Sequence, residues 1–214
     1  MGLCLLFFLK APIAGSVKTR LAADIGDARA LGAYKRMTEH LLRSLAPFDA
    51  LEIHFTPASG ERNAEAELLI REWLEPVLGQ SWTETAAFAQ TEGDLGQRQS
   101  FAVEQAFRRQ DSPLCLLGGD CPYVTRDHLE RAYRGLEHND LVIGPARDGG
   151  YYLLAINEPQ PGLFDGIEWS TERVCAQLQR NARQLGLGIQ SLETLEDVDD
   201  APAWQRAQET LPLN

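Results

Sequence analysis

Two short segments hold the side chains best suited to chemistry. Lys10-Ala-Pro12-Ile-Ala-Gly15-Ser-Val-Lys18-Thr19-Arg20 puts three cations, a proline and a glycine directly after the apolar run over 3–9. A buried strand that empties into such a loop can aim backbone N–H groups and positive charge at a phosphate, as ligands do beyond the carboxyl ends of strands in open α/β sheets. The loop is not a P-loop, because Val17 stands where that motif needs glycine before its lysine, and the glycine pattern of a dinucleotide fingerprint is absent. The second segment, Pro113-Leu-Cys-Leu-Leu-Gly118-Gly119-Asp120-Cys121-Pro122, is a buried strand ending in two glycines and a carboxylate. Asp120 there suits Mg²⁺ or Mn²⁺, hard ions held by one or two carboxylates together with phosphate oxygens. The alternative is that it only caps the turn before the helix over 125–137.

Three further places carry supporting chemistry. Asp197-Val-Asp199-Asp200 could return a second carboxylate to the metal, or serve as a solvated loop and N-cap. Asp148, in Arg147-Asp-Gly149-Gly150, could contact a sugar, an acceptor or a base, or simply shape the turn. Gly93-Asp94-Leu-Gly96-Gln-Arg98 is a third strand-end loop with glycine and charge, where Arg98 can present its planar fork to a phosphate or carboxylate.

The elements that must position these residues follow from periodicity. Strands are expected near 3–9, 50–56, 84–89, 113–118, 140–144, 151–156 and 187–192, alternating with helices over 27–46, 61–75, 97–110, 125–137, 171–186 and 201–210. Leu31, Tyr34, Thr38, Leu41, Leu42 and Leu45 recur at helical spacing in the first of these. Ser170 or Thr171 is the expected N-cap of the helix over 171–186, with Glu172 in its first turn. No helix fits between 144 and 151, so a tight glycine turn should join two antiparallel strands and make the sheet mixed. The fold class is α/β: one domain over 1–214, a mainly parallel mixed sheet with helices on both faces.

Composition narrows the function. The 214 residues, 44% hydrophobic, suit one domain with a substantial core. A net charge of −11 argues against nucleic-acid or anionic-membrane partners, so a polyphosphate ligand needs local cations and a metal. The four cysteines, 4, 115, 121 and 175, form no C-x-x-C pair, which argues against zinc; Cys4 and Cys115, inside apolar strands, read as core residues and Cys121 as a filler beside Asp120. The short N-terminal apolar run lacks the flanks of a targeting signal, Leu6 breaks the myristoylation pattern, and no run reaches transmembrane length; a soluble cytoplasmic protein is expected.

The ordered set Lys10-x-Pro12-x-x-Gly15-x-x-Lys18-Thr19-Arg20-Leu, Gly93-Asp-Leu-Gly-x-Arg98, Gly118-Gly119-Asp120-Cys-Pro, Gly144-Pro-Ala-x-Asp148-Gly-Gly-Tyr-Tyr-Leu-Leu154, Trp169-Ser-Thr171 and Asp197-Val-Asp199 resembles the selenodomain-associated transferase 1 family. That family, also described as arsenosugar-biosynthesis-type glycosyltransferases, lies within the nucleotide-diphospho-sugar transferases of GT-A fold. The chain is similar, more distantly, to 2-phospho-lactate guanylyltransferase. The resemblance spans nearly the whole chain and implies a GT-A-like fold. It implies that Lys10, Lys18 and Arg20 bind nucleotide phosphates, that Asp120 is the metal-binding aspartate and that Asp148 lines the acceptor side. Pro12, Gly15, Thr19, Gly93, Arg98 and Gly119 complete the expected nucleotide-binding set, with Lys18, Asp120 and Asp148 as the catalytic group and Asp199 as the second metal ligand. The tail departs from relatives that continue Asp-Val-Asp with Thr-Pro-Glu-Asp, since this chain has Asp200-Ala-Pro-Ala. The expected activity is glycosyl transfer from a nucleotide-diphospho-sugar to a small-molecule acceptor with Mg²⁺ or Mn²⁺. Nucleotidyl transfer with release of pyrophosphate and non-catalytic nucleotide binding are the alternatives; donor base, donor sugar, acceptor and oligomeric state stay open.

Overall fold

The computed structural model describes residues 2–57 and 63–211. Its elements run β1 (Cys4–Lys10), α1 (Thr19–Ile25), α2 (Asp27–Leu45), β2 (Ala50–Thr56), α3 (Asn63–Leu78), a 3₁₀ turn (Gly79–Glu84), β3 (Ala86–Ala89), α4 (Leu95–Arg109), β4 (Leu114–Gly118), α5 (Arg126–Gly135), β5 (Leu141–Pro145), β6 (Tyr151–Ile156), α6 (Val174–Gln184), β7 (Ile189–Ser191) and α7 (Ala201–Thr210). All seven expected strands form one sheet of order β3-β2-β1-β4-β6-β5-β7. Only β6 runs against its neighbours, pairing antiparallel with both β4 and β5. The expected mainly parallel mixed sheet is thus present, as a single GT-A-like α/β unit. The β5–β6 connection is the tight turn anticipated at Asp148-Gly149-Gly150, with a bulge at Gly144/Pro145.

The strands read as nearly continuous apolar runs because both faces are covered. On one face Leu5, Phe7, Ile53, Phe55 and Leu117 meet Leu41 and Leu45 of α2, Ile70 and Leu74 of α3 and Leu129 of α5. On the other, Cys4, Leu6, Leu116, Leu154 and Ile143 meet Ala102 and Ala106 of α4 and Leu178 and Ala182 of α6. Leu31, Tyr34, Leu41, Leu42 and Leu45 of α2 pack on the first of these faces, while Met37 meets α7 and Ala30 and Ala33 meet α1. All four cysteines are unpaired and buried, as expected of Cys4 and Cys115; burial raises the thiol pKa of Cys4 to about 11.

The boundaries differ in three informative ways. The chain turns helical at Thr19, well before 27, and Gly26 (φ 87°) separates this short α1 from α2. Pro76 does not end α3, which continues to Leu78 with Val77 and Leu78 packed on the core; positions 61 and 62 of its expected start lie outside the described residues. The expected cap at Ser170 or Thr171 is corrected: α6 starts at Val174 with Arg173 as its uncapped N-cap. The reason is local. Ser170 sits at φ 63°, the Thr171 hydroxyl donates to the Glu168 carbonyl at 2.7 Å, and the Cys175 N–H is drawn to the Gly149 carbonyl at 2.8 Å, so residues 169–173 form a loop against the β5–β6 turn.

Candidate active site

A cavity of about 920 Å³ opens beyond the carboxyl ends of β1, β2 and β4, the place where open α/β sheets hold ligands. Lys10, Lys18, Thr19, Arg20, Arg98, Gly119, Asp120, Asp148 and Asp199 all line it. Segments scattered from residue 10 to residue 199 thus meet at one site. Pro12, Gly15 and Gly93 do not reach the cavity wall. They shape the loops behind it: Pro12 is buried, Gly15 (φ 80°) bends the first loop, and a Cβ on Gly93 (φ 114°) would lie 2.3 Å from the Gln97 amide oxygen. That amide oxygen accepts from the Asp94 N–H at 3.0 Å, completing the capping box of α4.

Lys18 is the centre of the arrangement. It takes the left-handed conformation (φ 48°, ψ 47°) just before α1, which turns its side chain inward until only 4% of it is exposed. Its ammonium contacts Asp120 Oδ1 at 2.7 Å, the Val198 carbonyl at 2.5 Å and Asp199 Oδ1 at 3.5 Å. An ammonium has three N–H donors, and all three are engaged. Lys18 therefore holds the carboxylates in place, and a phosphate could bind its ammonium only by displacing one of them. Burial opposes its charge, but Asp120, Asp199 and Asp197 outweigh burial and raise its pKa above the ordinary value. The same pair works in reverse on Asp120. Desolvation would raise its carboxyl, yet Lys18, with Lys10 and Arg20, keeps it below the usual carboxylate range.

Asp120 is not a helix cap. Thr125 caps α5, in a box with His128, and Asp120 remains 58% exposed to the cavity. The tail is pinned beside it: the Val198 N–H donates to the Asp120 carbonyl at 2.9 Å, and Asp199 accepts from Arg20 at 2.7 Å. The capping role expected somewhere in Asp197–Asp200 falls to Asp200, whose carboxylate accepts from the Ala203 N–H at 2.8 Å. Asp197 faces the cavity, and burial together with Asp148, Asp120 and Asp199 raises its carboxyl to about 7. Asp148 accepts from the Gly150 N–H at 2.8 Å, which closes the turn and sets its carboxylate on the rim.

This donor set fits a hard divalent cation. The carboxylates are oxygen ligands only, and Asp197, raised first by burial and then by Asp148, Asp120 and Asp199, carries a cost that a bound cation would offset. Among the described residues, however, no group of three or more His, Cys, Asp or Glu side chains stands in ligating geometry. The ammonium of Lys18 occupies the position between Asp120 and Asp199.

Several site residues carried no assignment from the sequence. Tyr34 of α2 fixes the start of the first loop, its hydroxyl accepting from the Lys10 N–H at 2.9 Å and donating to the Lys10 carbonyl at 3.0 Å. Tyr34 was legible only as a core residue at helical spacing, which it also is. Gln90 lines the cavity and links the Arg98 guanidinium (3.3 Å) to the His54 carbonyl (2.8 Å). Trp169, Ser170, Thr171 and Glu172 form another wall. The cluster of Trp169-Ser-Thr171 was their only sequence signal.

Known proteins share this fold. A Desulfovibrio desulfuricans G20 protein proposed to be a nucleotide-diphospho-sugar transferase is 32% identical; the match covers 93% of this chain and 83% of that one, with a TM-score of 0.80. A 4-diphosphocytidyl-2C-methyl-D-erythritol synthase from Anaerococcus prevotii DSM 20548 shares the fold at 12% identity and a TM-score of 0.61, over 98% of this chain and 96% of that one. A Mycobacterium tuberculosis H37Rv protein solved as a manganese complex does so at 13% identity and a TM-score of 0.51, over 98% and 100%. No curated protein matches the chain. The family model described as "Uncharacterized protein conserved in bacteria (DUF2064)" matches residues 51–171, more than half the chain, and the protein belongs to that family.

Proposed function

We propose that the protein is a metal-dependent transferase that moves a glycosyl group from a nucleotide-diphospho-sugar to a small-molecule acceptor, the chemistry implied by its resemblance to the selenodomain-associated transferases. The observation that carries this reading is the Lys18–Asp120 contact, which buries a cation in order to present a carboxylate at the mouth of the sheet. Lys10, Arg20 and Arg98 face the same cavity and supply charge for phosphate oxygens. Asp120 would be the first ligand for Mg²⁺ or Mn²⁺, with Asp199, held near it by Lys18 and Arg20, and Asp197 as further oxygen donors. When bound, the ion neutralises the diphosphate as it leaves. In the transfer, the bond from the anomeric carbon to the β-phosphate oxygen breaks and a bond from that carbon to an acceptor oxygen forms. Asp148, on the rim, takes the acceptor's proton. The manganese complex of the mycobacterial protein supports a divalent ion on this fold. The similarity to the Desulfovibrio protein supports a nucleotide-sugar donor.

The second reading is nucleotidyl transfer, which Lys10, Arg20 and Arg98 on the cavity wall favour because a triphosphate has more charge to offset. One pair of measurements tests both. Asp120→Asn keeps size and polarity but removes the charge, so Mn²⁺-dependent nucleotide binding by calorimetry should weaken at least tenfold, and the urea midpoint should fall because the buried Lys18 ammonium loses its main partner. Unchanged Mn²⁺-dependent binding would defeat the assignment. Pyrophosphate released from a triphosphate, with no nucleoside diphosphate formed from any sugar donor, would replace glycosyl with nucleotidyl transfer.

A further inference from the structure

Three oxygens from two distant segments converge on a cation that belongs to the chain itself. The Lys18 ammonium meets Asp120 Oδ1 at 2.7 Å, the Val198 carbonyl at 2.5 Å and Asp199 Oδ1 at 3.5 Å. Carboxylate and backbone carbonyl oxygens are the donors that hard divalent ions take. The ammonium therefore fills a cage whose chemistry also suits the metal, and two cations cannot share it without strong repulsion at this spacing.

The cage has anchors besides the ammonium. The Val198 N–H donates to the Asp120 carbonyl at 2.9 Å, which ties the tail to the end of β4. Asp199 Oδ2 accepts from Arg20 at 2.7 Å, and Asp200 accepts from the Ala203 N–H at 2.8 Å at the start of α7. Lys18 is the movable member. Its ammonium ends a flexible four-carbon stem. Its backbone sits at φ 48°, ψ 47°, a left-handed conformation that a lysine keeps only while its surroundings over-determine it. The Asp120 side chain, 58% exposed, leaves the cage open to an ion arriving from the cavity.

We propose that Lys18 is a resident cation that keeps the metal site closed until nucleotide arrives: a divalent ion and the ammonium compete for the Asp120, Val198 and Asp199 oxygens, and the displaced ammonium turns to the nucleotide's phosphates. The inference rests on the metal-dependent reading above and deepens it, because metal and nucleotide then bind as a pair. A divalent ion alone must evict a paired ammonium that gains nothing in return. With phosphates in the cavity, the evicted charge has a new partner and the ion has further oxygen ligands. A lysine that only braces the carboxylates predicts the opposite, weaker metal binding once its charge is removed.

The test titrates Mn²⁺ calorimetrically into the intact, nucleotide-free protein, as wild type and as the variants Lys18→Met and Lys18→Gln. Each variant should bind Mn²⁺ more tightly than wild type by on the order of tenfold or more, the effect of removing one competing charge at an effective dielectric near 20. Adding Asp120→Asn to Lys18→Met should abolish that gain, which locates it in the cage. Mn²⁺ should also raise the urea midpoint of Lys18→Met further than that of wild type, as tighter binding to the folded state requires. The titrations are then repeated with the tightest-binding member of a panel of nucleoside diphosphates at saturation. Nucleotide should tighten Mn²⁺ binding by a larger factor in wild type than in Lys18→Met, since only wild type has an ammonium to hand to the phosphates. Mn²⁺ affinity in either variant equal to or below that of wild type, a gain that survives Asp120→Asn, or a nucleotide factor no larger in wild type would overturn the proposal. So would nucleotide-free wild type binding Mn²⁺ as tightly as the nucleotide complex does, a result that needs no variant to fold. Absence of Mn²⁺ binding in wild type and variants alike, with and without nucleotide, would instead refute the metal reading beneath it, and with it this inference.

Discussion

Replacing Lys18 with Met keeps the stem of the side chain and removes only the ammonium, so it isolates what that buried charge does. The ammonium contacts Asp120 at 2.7 Å, the Val198 carbonyl at 2.5 Å and Asp199 at 3.5 Å. Breaking a fully buried ion pair costs about 3–5 kcal/mol. Here Lys18 is buried, but Asp120 is more than half exposed and Asp199 is 28% exposed, so water recovers part of the loss. The net cost should be about 2 kcal/mol, which for a chain of this size lowers Tm by about 4–8 °C. The pH dependence has a definite sign. The folded pKa of Lys18 is raised, so its contribution is complete below the unfolded value of about 10.4 and is lost only as pH rises through the folded one. Asp120 is depressed, so its contribution is present above about pH 4 and lost as pH falls through the folded value. Asp197 works the other way: its carboxyl, raised to about 7, costs stability as pH climbs from about 4 toward 7, and Lys18 reduces that cost. Urea denaturation at pH 5 and pH 8 should therefore show Lys18→Met losing stability at both, and more at pH 8. A variant as stable as wild type at pH 8, with an unchanged m-value, would refute the central role given to this ammonium.

Gly149→Ala should be among the most damaging single-methyl changes, costing about 3 kcal/mol or more, because the new Cβ meets the Glu172 carbonyl at 2.0 Å and φ is 90°; thermal denaturation reports it, and a near-neutral result would mean the loop over 169–172 can withdraw. Arg109→Met should remove the partner of the buried Glu52, which accepts from Arg109 at 2.7 Å and shares a 2.9 Å contact with His54. Desolvation would raise the Glu52 carboxyl, but His54 and Arg109 hold it below the ordinary value. Its stabilisation is thus present above about pH 4.3 and lost as pH falls, so the variant should lose stability at pH 7 and show a flatter acid limb in denaturation midpoints. Arg20→Ala should weaken nucleotide binding by about 1.5–3 kcal/mol while leaving nucleoside binding unchanged, measured by calorimetry. Equal losses for nucleotide and nucleoside would point to disordering of the tail through Asp199 instead.

Much of this protein is written in local sequence. Seven apolar runs of strand length, separated by helical periodicity, are enough to declare a two-sided α/β sheet, and the lack of room for a helix between 144 and 151 is enough to declare one reversed strand. Cations and carboxylates at the ends of those runs are legible as a site, because the carboxyl edge of such a sheet gathers its loops together. What local sequence cannot carry is partnership between distant side chains. Lys18 reads as a phosphate-binding cation, and only the fold, by bringing Val198 and Asp199 across 180 residues or so of chain, uses up its donors and makes it a brace for Asp120. Ser170 and Thr171 read as a helix cap, a local expectation that the contact between Gly149 and Glu172 overrides. Tyr34 reads as core, since an aromatic at helical spacing is the same letter whether it fills a core or holds a loop. Periodicity and turn chemistry act over a few residues and are set by the backbone; charge pairing and burial act through space, and exist only once the sheet has closed.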